Sequence, residues 1–259
     1  MIVFGAIAPH GDPAFVEGSP TRLAFEELGR RLASAEADVT IVVTPHNVHV
    51  EGAFAVITSA ALVGSLDEQE LELGCPVDRE LAARVLEALR EEGLPAVGVS
   101  FGSNDESLAE MPMDWGTLIP LWFLGGRAPE PAPVVVVSPA RDRSLAEHVR
   151  AGAAVARACE GRQAALVASA DHGHAHDPDG PFGFHPAAAE FDERMVDLVA
   201  ENRLEDALAL EEIVGEASAD SLWQVLVLHG ALGGGFTSEL LSYERPTYFG
   251  MLCAAFEPR

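Results

Sequence analysis

The sequence predicts an α/β domain, a single one, whose central mostly parallel or mixed sheet is flanked by helices. Three observations carry that prediction. Short apolar or β-branched runs alternate with longer segments of helical period along the whole chain. Several of the short runs are hydrophobic almost throughout rather than alternating, as buried strands of a parallel sheet are. And 259 residues with 48% hydrophobic content can bury a substantial core as one catalytic-sized unit over residues 1–259.

Taken in order, IVFGAIA (2–8) reads as the first strand. Its apolar run is short, and it lacks the basic flank and small-residue cleavage site of a secretory leader. TRLAFEELGRRLASA (21–35) follows as a helix, with Leu23, Leu28 and Leu32 expected on one stripe. VTIVVT (39–44) and FAVITS (54–59) are strands, DRELAARVLEALREE (78–92) a helix, and AVGVS (96–100) and PVVVVS (133–138) strands again. APEPAP (128–133) is a connector too short to separate domains. SLAEHVRAGAAVARACE (144–160) is helical and AALVAS (164–169) extended. PAAAEFDERMVDLVAEN (186–202) and the apolar SLWQVLVLHGAL (221–232) are helices, and TYFGMLCAAF (247–256) closes the chain as a strand. No internal repeat or low-complexity tract interrupts this order.

Composition excludes several functions. The chain carries 41 acidic against 16 basic residues, a net charge of −25, and every basic residue is arginine. Such a surface repels a phosphate backbone, so no nucleic-acid partner is expected. The absence of lysine reads as the compositional bias of a GC-rich genome and says nothing about chemistry. Cys75, Cys159 and Cys253 are odd in number and far apart, which supports neither a disulfide framework nor a CxxC metal site. No run approaches the roughly 20 apolar residues that span a bilayer. The expectation is a soluble, reduced, cytoplasmic protein with no membrane partner.

Three predicted strands run directly into histidine. IVFGAIA leads to PHGD (9–12), VTIVVT to PHNVH (45–49), and AALVAS to ADHGHAH (170–176). In open α/β sheets, ligands bind beyond the carboxyl ends of the strands, where loops converge. One histidine at a strand end has an ordinary explanation, a hydrogen-bonded ring closing a turn. Three strand ends on one rim deliver imidazoles to one crevice. Imidazole suits Fe, Zn, Cu and Ni, and two histidines with one carboxylate leave open positions on Fe(II). His10 and His46 are the candidate ligands, and His49 is either a neighbour that touches substrate or a surface loop residue.

An anionic third ligand must come from elsewhere. GEASADSLWQVLVLHGAL offers Glu216 and Asp220 at the approach to an apolar helix, where the first turn favours negative charge. Asp220 is the first choice and Glu216 the reserve. An N-cap role for Asp220 competes with metal binding because both use the same carboxylate oxygens.

The strings APHGD, TPHNVHV, MDWGTLIPLWFL, SADHGHAH, GPFGFHPAAAEFD and VLHGAL…LSYERPTYFGMLCAAF, in this order and covering nearly the whole chain, resemble the class III extradiol ring-cleavage dioxygenases. This is the superfamily of the protocatechuate 4,5-dioxygenase catalytic subunit. The resemblance implies a non-haem Fe(II) enzyme, with Zn(II) as the alternative occupant on purification, that opens a catechol-type or o-aminophenol ring with O₂. It maps metal binding onto His10 and His46. The family's acid/base histidine closes a Ser-x-x-x-x-His motif, which begins here at Ser169 and ends at His174. His172 then contacts substrate hydroxyls, or His172 and His176 are exposed loop residues, while His185 is structural. Counting back from the family-like GAL at 230–232 leads close to Asp220, where Memo-type relatives hold cysteine.

One departure concerns the central motif, where the family carries Asp-His-Gly and this chain has Asp114, Trp115 and Gly116. Trp115 either narrows the pocket and stacks on a ring or is a core aromatic ahead of a helix. The chemistry accounts for the residue types: a chelating catechol gives its protons to a base poised near neutral pH, and the metal lowers the hydroxyl pKa while positioning the reactants. Two other readings share these residues. One is a Memo-like metal-binding protein without ring cleavage, and the other is a zinc hydrolase using His10, His46 and Asp220. Family analogy suggests a homodimer or larger oligomer.

Overall fold

A computed structural model describes residues 1–259. Eleven strands form two sheets. The large sheet contains β1 (Ile2–Ala8), β2 (Val39–Val43), β3 (Phe54–Ile57), β6 (Ala96–Val99), β8 (Val134–Ser138), β9 (Ala164–Ser169), β10 (Phe236–Glu244) and β11 (Met251–Pro258). Its order is β10-β11-β1-β9-β2-β8-β3-β6. The four central strands β1, β9, β2 and β8 are mutually parallel, and antiparallel pairings of β1 with β11 and β8 with β3 flank them. The sheet is therefore mixed, with a parallel centre.

Those central strands are buried on both faces, which is why their sequences are apolar throughout. Alternation still divides their side chains between two cores. Ile41, Val43, Val135 and Val137 meet α2 (Arg79–Glu91), α4 (Leu145–Ala158), α5 (Pro186–Ala200) and α7 (Leu222–Leu232). Val42, Val134 and Val136 meet α1 (Pro20–Ser34) and α3 (Trp115–Phe123) on the other face. A short helix, α6 (Glu211–Val214), leads toward α7. No helix is long and apolar enough to cross a membrane.

Where the structure departs from the sequence reading, the reasons are local. In α1 the buried stripe is Phe25, Leu28 and Leu32, whereas Leu23 is exposed. Leu23 precedes Leu28 by five positions, about 140° around a helix of 3.6 residues per turn, so the two cannot share a face. The closing strand begins at Met251 rather than 247 and is preceded by the unpredicted β10, whose mixed polar sequence suits an edge. The second sheet, β5 (Leu71–Pro76), β4 (Ala61–Leu66) and β7 (Glu110–Pro112), was also absent from the sequence reading. Its strands are short and half exposed, so hydrophobic runs do not announce them.

Candidate functional site

Register brings the histidine-bearing loops together. Ile7 pairs with Ala168, Ala168 with Val43, and Val43 with Val137, one row across all four parallel strands. Each chain leaves the sheet within a few residues of that row, so His10, His46, Arg141 and the 170–176 loop emerge along one edge. Neighbouring strands lie about 4.8 Å apart, which leaves two imidazoles on β1 and β2 within reach of each other across β9.

The side chains converge. His10 Nε2 lies 3.0 Å from His46 Nε2, and Asp220 Oδ2 lies 3.7 Å from the first and 3.3 Å from the second. These donor separations are those of neighbouring ligands on one ion with bonds of about 2.0–2.2 Å. The N-cap of α7 is Ser221, so Asp220 is not spent on capping, and its buried Oδ1 has no hydrogen-bond partner. Two imidazole nitrogens and an unsatisfied carboxylate facing one point fit a divalent cation.

Hydrogen bonds fix the ring of His10. Ser169 Oγ donates to the Gly116 carbonyl at 2.5 Å, so it accepts from His10 Nδ1 at 3.0 Å. Nδ1 thus carries hydrogen, and Nε2 is the nitrogen that titrates or ligates. Asp171 Oδ1 accepts from the His10 backbone N–H at 2.9 Å, and its Oδ2 lies 3.4 Å from Nε2. Burial alone pulls the His10 pKa down, but the carboxylates of Asp171 and Asp220 outweigh it and push it up to about 9. Burial opposes ionisation of Asp220 too, yet the imidazoles of His10 and His46 beside it hold its carboxyl far below the usual range. Burial pushes the Asp171 carboxyl up. The pocket favours positive charge between these groups.

Asp114 caps α3 through the Thr117 N–H at 2.9 Å, and it also accepts from Thr44 Oγ1 at 2.7 Å and Asn47 Nδ2 at 3.0 Å. It thereby ties the loop carrying His46 to the helix start. A Cβ on Gly116 would lie 2.5 Å from Thr44 Oγ1 and 2.8 Å from Asp114 Oδ1, so only glycine permits this approach. Trp115 lies 4.5 Å from the His46 ring between centroids and is 51% exposed. It is part of the wall of a cavity, not a core aromatic.

That cavity, of about 930 Å³, has the three converging groups on its lining and His174 beside them. His174 Nδ1 lies 2.7 Å from the His172 carbonyl. A carbonyl only accepts, so Nδ1 carries the hydrogen and neutral His174 keeps a free lone pair on Nε2. The ring stacks on Phe249 at 5.3 Å and meets Phe182 at 5.2 Å, in an aromatic wall completed by Tyr248. The tip between β4 and β5 adds Asp67 and Glu68 to the lining.

The remaining sequence candidates fall elsewhere. His49 and Glu216 are exposed and lie outside the cavity lining. His172 is fully buried, holds neither ring nitrogen toward a protein partner, and does not line the cavity. Burial keeps its pKa below the usual histidine range. The exposed-loop reading of His172 and His176 is thus corrected: both are buried. His176 accepts from Arg245 at Nδ1 (2.8 Å) and donates from Nε2 to Asp192 Oδ2 (2.8 Å), which anchors the loop rather than the chemistry. His185 is the N-cap of α5, accepting from the Ala187 N–H. Groups the sequence reading passed over are Asp171, the Ser169 hydroxyl, Arg141 and the aromatic wall. The first two lie inside the SADHGHAH string, and Arg141 follows β8 as His10 follows β1, so position after a strand was their available signal.

Mixed α/β topology with two imidazoles and a carboxylate at the carboxyl edge of parallel strands defines a protein with a candidate 2-His-1-carboxylate centre. Residues 8–254 match the family of the catalytic LigB subunit of aromatic ring-opening dioxygenase, and the chain belongs to that family. It is similar to Protein CA_C1420 of Clostridium acetobutylicum, 26% identical over 231 residues that cover 86% of this chain. The match covers 49% of that protein, so the chain spans about half the length of this curated relative. Among solved structures it is similar in fold to the uncharacterized protein JW3007 from Escherichia coli K12, with a TM-score of 0.65 at 16% identity. That likeness covers 98% of this chain and 99% of the other.

Proposed function

We propose that this chain is an extradiol dioxygenase that opens a catechol-type or o-aminophenol ring with O₂, holding Fe(II) on His10, His46 and Asp220. The observation that carries this reading is the convergence of those three donors on the wall of a cavity that also contains the free Nε2 of His174. Family membership supports it.

Bound there, Fe(II) supplies Lewis acidity and one-electron chemistry toward O₂. The protein's part is positioning and proton handling. The rings of Phe249, Phe182, Tyr248 and Trp115 supply flat apolar surfaces for an aromatic substrate and limit water around it. His174 Nε2 takes a proton from a ring hydroxyl as the substrate settles, and returns it to oxygen when the ring opens. Both atoms of O₂ enter the product, so no external reductant is consumed.

A second reading, a Memo-like metal-binding protein that does not cleave rings, is favoured by Trp115, an indole beside His46 where the ring-cleaving pattern has imidazole. Anaerobic loading with Fe(II), followed by oxygen and a panel of catechols and o-aminophenols, separates the two. The dioxygenase gives a yellow ring-opened product with matching O₂ uptake. A fully loaded protein silent on the whole panel overturns the proposal.

A further inference from the structure

We propose that Arg141 is the specificity-determining residue of the cavity and pairs with a carboxylate carried by its ligand. The inference rests on the reading of the cavity as a site for a small aromatic.

All sixteen basic residues are arginines. Fifteen of them donate to a carboxylate, a backbone carbonyl or, for Arg245, an imidazole. Arg141 alone has no such partner, in a chain where 41 carboxylic side chains compete for cations. Its guanidinium lies over the face of Trp223, 4.2 Å from Cζ to the ring centroid. Stacking on an indole holds the guanidinium plane while leaving its N–H edges free.

Position adds to this. Arg141 leaves the sheet three residues after Ser138, the last residue of β8, on the rim that also delivers His10 and His46, and it lines the same cavity as Asp220 and His174. The Asp220 carboxylate stabilises the Arg141 charge from a distance but forms no ion pair with it, and Asp220 Oδ2 lies against the two imidazoles. A half-buried, stacked cation with unused donors facing a substrate-sized cavity is an oxyanion receptor, and its planar fork matches a carboxylate. Asp12, Asp67 and Glu68 on the lining disfavour a dianion, so a singly charged carboxylate fits better than phosphate.

The test compares one ring with and without the charge. Full-length protein loaded with Zn(II), which supports binding without turnover, is titrated calorimetrically with catechol, 3,4-dihydroxybenzoate and inorganic phosphate. Wild type is expected to prefer 3,4-dihydroxybenzoate to catechol by about 10- to 100-fold. Arg141→Met removes the preference, chiefly by weakening the carboxylated ring, and Arg141→Lys restores part of it. Equal affinities in wild type overturn the assignment whether or not the variants fold, as does an equal loss of both rings in Arg141→Met. Phosphate binding tighter than 3,4-dihydroxybenzoate and abolished in Arg141→Met overturns the choice of carboxylate. A carboxylate preference in a protein that opens no ring sinks the dioxygenase reading and keeps the role of Arg141. Ring opening of catechol without that preference does the reverse.

Discussion

The Nε2 atoms of His10 and His46 lie 3.0 Å apart across 36 residues of chain, each aimed at the other and at Asp220 Oδ2. Two lone pairs so close repel unless a proton or a cation lies between them, and the adjoining carboxylate favours either positive charge and completes a donor set for a divalent cation. Replacing His10, His46 or Asp220 by alanine is therefore expected to abolish stoichiometric metal in protein purified without chelator, measured by elemental analysis. Ser169→Ala, which removes the acceptor that orients His10, should weaken metal affinity by about 10- to 100-fold without abolishing binding. Unchanged metal content in the Asp220 variant would remove it from the ligand set.

In the proposed reaction His174 acts on protons rather than on the metal. His174→Ala should retain full metal content yet turn over about 100- to 10,000-fold more slowly, with iron content measured beside the rate. Normal turnover in that variant would exclude His174 as the acid/base group.

The loop bearing His174 hangs on a buried polar network. Asp192 accepts from the Gly173 N–H at 2.7 Å, from His176 Nε2 at 2.8 Å and from the Tyr243 hydroxyl at 2.7 Å. Asp192→Ala leaves those donors without a partner, with an expected loss of about 3–5 kcal/mol. Tyr243→Phe removes one bond and should cost about 1–2 kcal/mol. Urea unfolding curves with unchanged slopes measure both.

Helices α4 and α7 touch at glycine. A Cβ on Gly230 would lie 1.9 Å from the Val149 carbonyl oxygen, and one on Gly152 would lie 2.0 Å from that of Val227. Gly230→Ala must push the helices apart and should lower stability by about 1–3 kcal/mol or more, read as a fall in Tm. Because α7 follows directly on Asp220, bound metal should also decline; a fully stable variant would mean that the helices yield freely.

Legibility followed range of interaction. The buried central strands declared themselves through unbroken apolar runs, and β9 and β1 were read to the residue. The half-exposed β4, β5 and β10 did not, because none of them carries an unbroken apolar run: β5 alternates buried and exposed side chains, and β4 and β10 mix polar with apolar residues. His10 and His46 were legible as strand-end histidines. His172 was misplaced because spacing within SADHGHAH cannot say which imidazole turns inward to the core and which to the cavity. Arg141 was passed over since an unpaired cation is defined by what does not surround it.

The sequence by itself determined the α/β class, the central strands and the delivery of imidazoles to strand ends, since apolar pattern and residue type act between near neighbours in the chain. Only the tertiary structure decided that Asp220 and not Glu216 faces those imidazoles, that His49 stays on the surface and that Arg141 lies unpaired beside them. Those outcomes depend on how β1, β9, β2 and β8 align and how closely α7 packs on α4, and both are set by contacts between segments far apart in the chain.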